Sequence, residues 1–316
     1  MMAEAQEDDD GIFVYMGGDQ QVPQHVRRAR IHRSVKIILA QAFRECIHLI
    51  SVEFHDGIEI IEEEAFLSCF SLSGSIKLLG IRIVKAEAFY CCGVTDVEFG
   101  DKLETIEQSA FHFCTLLRSI TMPSIRTIGK FAFYKCGQLT DLDLPEGLET
   151  LGYSSFRDCT RLRRITTPLK LGMIGNDVFS GCPNLIIVNL DGGIHYTVAS
   201  LHLESWRNEM RGEINRINQT LLNTTKKTQA VQQWMKSVNH RLDIYNCEHQ
   251  KTLKEATTLL ELALWKANLE DNEGGVVETE GVRTTRGRRK RARKEICVTS
   301  GASIVIKNVL PYLVLK

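Results

Sequence analysis

The chain lacks the short signatures from which catalysis and phosphate binding are usually built. No glycine-rich phosphate loop occurs, and Gly17 and Gly18 stand as an isolated pair. HExxH and GxSxG are missing, as is a carboxylate pair on a plausible scaffold. Nine histidines are scattered. His55 ends a strand-like run and His112 follows an apolar phenylalanine, so each reads as a surface or satisfied structural residue. The ten cysteines include no CxxC with a partner and no Cys/His cluster at zinc spacing. Residues 1–10 (MMAEAQEDDD) lack the basic start and apolar core of a secretory signal. These absences predict a protein that is not an enzyme, uses no metal or cofactor, and works in the cytoplasm or nucleus.

What the chain has is a repeat. Phe43, Phe66, Phe89, Phe111, Phe133, Phe156 and Phe179 are spaced 22 or 23 residues apart. Three residues after each comes a cysteine: Cys46, Cys69, Cys92, Cys114, Cys136, Cys159 and Cys182. Five before each is an aliphatic, from Ile38 to Ile174. Eight before is another: Val35, Ile58, Ile81, Leu103, Ile125, Leu148 and Leu171. Self-similarity at this period marks a solenoid. After each cysteine a strand-like run alternates apolar and polar, as in residues 94–99 (VTDVEF) and 139–144 (LTDLDL). Pro123, Pro145 and Pro168 end three of these runs, because proline cannot donate to a ladder. One unit cannot bury its own apolar face, so units must stack, Phe above Phe and Cys above Cys. The cysteines then read as small buried hydrophobes in reduced form.

The pattern IxxxAFxxCxxLxxVxF, as in residues 61–69 and 128–144, resembles the BspA-type leucine-rich repeat. The resemblance spans about residues 35–190 and implies a curved, right-handed solenoid used for protein binding, without a catalytic centre. Many members of that family are secreted or attached to the cell surface, and the acidic start of this chain departs from them.

The expected fold class is an α/β repeat: a leucine-rich-repeat solenoid, then a helical hairpin, then a tail. Residues 1–10 read as a disordered acidic leader. Residues 11–34 read as an N-terminal cap in which Val26, Ala29 and Ile31 imitate a strand and the arginines form a polar face. The solenoid occupies 35–195. Residues 196–269 form the helical cap. Leu203, Trp206, Met210, Ile214, Ile217 and Leu221 lie on one helix face. A second helix runs through Val231, Trp234, Val238, Leu242, Tyr245, Leu253, Ala256, Leu260 and Ala263. A packed hairpin is the expectation; the other reading is a dimeric coiled coil, against which the spacing drifts off a strict heptad.

Residues 270–294 combine an acidic, glycine-containing linker with a basic run. The run holds Arg286, Arg288, Arg289, Lys290, Arg291, Arg293 and Lys294, and reads as a nuclear import signal or a nucleic-acid contact. Residues 295–316 are an apolar tail. Lys307, Asn308 and Pro311 interrupt it, so packing on the folded body is expected and a membrane anchor is the alternative.

The candidate site is the outward row of the strands: Glu53, Asp96, Glu98, Asp141 and Asp143, with Arg164 reversing the sign. Solenoids bind partners along such surfaces. The expected function is therefore a protein-interaction scaffold with a partner of basic character. The alternatives are a nuclear, nucleic-acid-associated protein and a membrane-tethered scaffold. Oligomeric state is left open.

Overall fold

The computed structural model describes residues 11–18, 20–190 and 203–273. The basic run, the apolar tail and the acidic leader lie outside the described residues. The repeat folds as coils whose strands all pair in parallel. Each coil contributes to two stacks.

The first stack holds the strand-like runs in three short sheets. β1 (Phe13–Tyr15), β2 (Arg28–Ile31) and β4 (Ser51–Glu53) form one; β6 (Gly74–Leu78), β8 (Val94–Phe99) and β10 (Ser119–Thr121) form the next. β12 (Asp141–Asp143), β14 (Arg164–Thr167) and β15 (Ile187–Leu190) form the third. The second stack is one six-stranded sheet of two-residue strands. These are β3 (Ile37–Ile38), β5 (Ile60–Ile61), β7 (Ile83–Val84), β9 (Thr105–Ile106), β11 (Thr127–Ile128) and β13 (Thr150–Leu151). In each pair the second residue is the aliphatic five before the phenylalanine, and it points inward.

Between the stacks stands the phenylalanine column. All seven rings are buried to 0% exposure. From Phe43 to Phe156 successive rings lie 4.9–5.3 Å apart and within 12° of parallel. The last step, Phe156 to Phe179, opens to 6.3 Å. A turn surrounds each ring. The residues two before and two after it are left-handed, for example Phe131 at φ 56° and Lys135 at φ 59° beside Phe133. The turn's amides bond to the next coil: Phe43 N donates to Ala65 O, and Phe133 N to Ser155 O, both at 2.8 Å. The cysteine thiols bond the other way. Cys69 Sγ donates to Phe43 O at 3.0 Å and Cys159 Sγ to Phe133 O at 3.2 Å. Every cysteine of the column is free and buried.

Both ends of the column are closed. At the first coil Tyr15, itself fully buried, tilts its ring against Phe43 at 5.2 Å. β1 therefore belongs to the cap, although its three residues carried no readable pattern. At the last coil the missing neighbour is replaced by two helices, α1 (Leu203–Asn223) and α2 (Lys227–Glu273). Thr228 Oγ1 accepts from Phe179 N at 2.8 Å, and Asn218 Oδ1 accepts from Val188 N at 2.9 Å. Gln232 Nε2 donates to Ile174 O at 2.8 Å. Side chains thus answer the backbone groups that an eighth coil would have met. Met210, Ile217, Leu221, Val231, Trp234, Met235, Val238 and Leu242 are buried.

Two expectations need correction. Leu171, assigned to the inward position eight before Phe179, is 58% exposed, and Met173 is buried in that coil instead. Pro168 accepts from Lys170 N at 3.1 Å and Gly172 takes φ 75°, so this coil turns tighter and swings Leu171 outward. The second correction concerns α2. Leu253, Ala256, Leu260 and Ala263, assigned to a packed face, are exposed. Among the described side chains of α2 beyond Leu242, none is buried.

Candidate functional site

The outward row of the first stack is held in place by the alternation of the strands. Val52, Val97, Leu142 and Ile165 point in, so Glu53, Asp96, Glu98, Asp141, Asp143 and Arg164 point out. The row is not a bare acidic face. Arg30 and Glu53 are register partners and pair at 2.5 Å. Lys77 and Glu98 are register partners and pair at 3.0 Å. Arg164 faces Asp141, pairing at 2.9 Å, and reaches on to Asp143 at 2.7 Å. Hydrogen bonding to Arg164 holds the Asp143 carboxyl below the usual carboxylate range, and the same contacts raise Arg164.

Asp96 is the exception. Its carboxylate accepts from the hydroxyls of Ser119 at 2.5 Å and Thr95 at 2.7 Å, and these bonds lower its pKa, the Ser119 bond most. Across the site, acid and base lie about one repeat apart in sequence. Tallying charges along the chain therefore showed five acids, whereas reading them at the repeat spacing would have shown a ladder of ion pairs. A second ladder runs beside the two-residue strands: Arg82 with Glu104 at 2.9 Å and Lys85 with Glu107 at 3.1 Å. Exposed pairs of this kind contribute about 0–1 kcal/mol each, so they fix side-chain positions more than they stabilise the coil.

The row also contains a recess. β10 and β12 follow one another in the stack but belong to different sheets. At that seam lies a groove of about 460 Å³. Buried Ile120, Met122 and Leu144 form its apolar lining, Pro123 and Pro145 belong to its wall, and Asp143 brings charge to it. An apolar recess with one charged wall suits a side chain that is long and amphipathic.

A feature of the turn side escaped the reading of the sequence. Tyr90, His112, Phe113, Phe131, Tyr134 and Tyr153 make a chain of ring contacts over consecutive coils. Lys135 Nζ sits 4.8 Å from the Phe113 ring centroid. Burial, then the Lys135 charge, pushes the His112 imidazole below its ordinary pKa. Its signal in the sequence is the aromatic residues that flank the repeat phenylalanines in successive units.

Among the described residues, no three or more His, Cys, Asp or Glu stand close enough to hold a metal ion. No helix among them is long and apolar enough to cross a membrane. The basic run from Arg286 to Lys294 cannot be placed relative to this face, being outside the described residues.

No curated protein matches the chain. Solved structures similar to it are leucine-rich repeat proteins. One from T. pallidum is 22% identical, with 66% of this chain and 92% of that one covered, at a TM-score of 0.38. One from Bacteroides ovatus is 23% identical over 52% of this chain and 54% of that one, at a TM-score of 0.31. A leucine-rich cell surface protein from Faecalibacterium prausnitzii is 21% identical over 54% and 62%, at 0.36. The chain spans about half the length of the Bacteroides protein. The family described as BspA type Leucine rich repeat region matches residues 24–78 and 82–200 in six copies. That match covers more than half of the sequence, and its unit is the coil seen here: the chain belongs to the BspA-type leucine-rich repeat family.

Proposed function

We propose that the protein is a non-enzymatic interaction module whose protein partner docks on the outward row of the first stack. The observation that supports this is the recess at the β10–β12 seam, set within a row of side chains held by ion pairs. A pre-positioned surface loses little side-chain freedom on binding. The partner places a basic, long-stemmed side chain against the apolar lining, where it competes with Arg164 for Asp143, and a further charge against Asp96, which is held by hydroxyls. Opposite potentials set encounter rate and specificity more than affinity.

The test reverses Asp96, Asp141 and Asp143 to Lys together in the full chain, with circular dichroism as the check on folding. Affinity capture from the cell that makes the protein is then run at low and moderate salt. Loss of a captured partner, with the parent interaction weakening as salt rises, is the expected outcome. An unchanged set of partners without salt sensitivity removes this face from the proposal.

The basic run gives the proposal on location. Eight Arg or Lys fall within residues 283–294, a density suited to nuclear import in a eukaryotic cell. Replacing Arg288, Arg289, Lys290 and Arg291 by Ala in a fluorescent fusion should shift it from the nucleus; an unshifted fusion removes the import role.

A further inference from the structure

We propose that the exposed part of α2 is a self-association helix, which pairs in parallel with the same segment of a second copy of this chain. Among the described side chains from Cys247 to Lys266, only Thr257 is less than exposed. Yet the segment is rich in large apolar groups. Leu253 is 37% exposed, Leu260 38%, Leu264 45% and Leu259 66%. A helical stretch of this length gains little stability from propensity alone and needs a packed face.

The sequence of the segment specifies what that packed face is. Leu253, Ala256, Leu260 and Ala263 step by three, four and three residues. This is the a/d alternation of a two-helix seam, and one heptad earlier Asn246 occupies the a position and His249 the d position. The drift off a strict heptad belongs to the other part of α2. There Val231, Trp234, Val238 and Leu242 step by three, four and four, and that face is already covered. The flanking e and g positions from Gln250 to Lys266 are Gln250, Thr252, Thr257, Leu259, Leu264 and Lys266. Only Lys266, at the end of the segment, is charged, so two identical helices can lie side by side with uncharged flanks along the rest of the seam. Lys251, Lys254, Glu255 and Glu261 fall on the outer positions.

An identical partner in parallel register satisfies each of these features at once. Leu meets Leu at a, Ala at d permits close approach, and Asn246 meets Asn246. A polar residue at a single a position is a known means of fixing register. Leu262 and Trp265 fall at c and f, outside such a seam, and therefore serve as controls.

Sedimentation of the full chain should give a species of twice the 35.8 kDa chain mass. Leu253→Lys with Leu260→Lys should raise the dissociation constant by about 100-fold or more, since both side chains lose their burial. Leu262→Lys with Trp265→Lys should leave it unchanged. With Cys91, Cys247 and Cys297 replaced by Ser, Leu260→Cys should cross-link two copies under mild oxidation and Leu262→Cys should not. Circular dichroism separates a failed seam from an unfolded chain. A monomer at the highest soluble concentration overturns the proposal. So does a dimer that survives the Leu253 and Leu260 changes, or one that is lost with the Leu262 and Trp265 pair. Loss of the dimer on deleting residues 295–316, with the Leu253 and Leu260 variant unaffected, would assign self-association to the tail and likewise overturn it.

Discussion

Val231, Met235, Val238 and Leu242, in the first part of α2, are at most 8% exposed, whereas Leu253, Leu260, Leu264 and Trp265, further along it, are 37–66% exposed. Both groups are large apolar side chains on the same helix. What separates them is the polar chemistry around them. The first part carries Thr228 and Gln232, which bond to backbone groups of the last coil. In the second part the hydroxyls turn back on their own helix: Thr252 to Glu248 O, Thr257 to Leu253 O and Thr258 to Lys254 O. An apolar stripe says that a face is to be covered. The hydrogen-bonding residues beside it say what covers it.

The contrast between covered and uncovered rows can be tested by truncation. The largest effect belongs to the column, the most fully covered row. Phe133→Ala should cost about 3–5 kcal/mol in chemical denaturation. On α2 the two parts should diverge. Met235→Ala should cost about 2–4 kcal/mol, and Leu262→Ala should stay within about 0.5 kcal/mol. Equal costs at the two positions would erase the distinction.

Next is the polar contact that anchors the covered part. Thr228→Val keeps the shape and removes the acceptor for Phe179 N, leaving a buried donor without its partner. The expected loss is about 1–3 kcal/mol. A neutral result would mean that apolar contact alone holds the helix.

The smallest effect is the pH response of one thiol. Burial pushes Cys114 up from 9.0 to about 12. The folded chain then keeps a proton that the unfolded chain sheds, so this thiol's contribution to stability is constant below about pH 9 and is lost as pH rises above it. One such thiol costs up to about 1.4 kcal/mol per pH unit in that window. Cys114→Ala should flatten the slope between pH 9 and 10 relative to the parent protein, measured by thermal melts at each pH.

Much of the solenoid was legible because Phe, Cys and the aliphatics five before Phe recur at one spacing, and stacking converts that spacing directly into contact. The second sheet was not, because two residues such as Ile37 and Ile38 are too few to show alternation. The site was half legible. Alternation placed Glu53, Asp96, Glu98, Asp141 and Asp143 outward. Their partners Arg30, Lys77 and Arg164 were hidden because each sits roughly one coil away along the chain. Leu171 was misplaced for a related reason. A repeat assigns positions by counting, and the Pro168–Gly172 turn changes the count's meaning without changing its length.

The ladder of thiols and ring turns makes each coil interchangeable with its neighbours. Cys136 donates to Phe111 O as Cys159 donates to Phe133 O, both at 3.2 Å. Excising residues 112–133 would bring Cys136 under Phe89 and Cys159 under Phe111, with every bond type restored. The column would simply be shorter by one ring spacing of about 5 Å. Removing ten residues instead would put every later ring out of line. A protein built this way can change its reach only in whole units, so its length behaves as a copy number, and variation in length between relatives should come in steps of one coil.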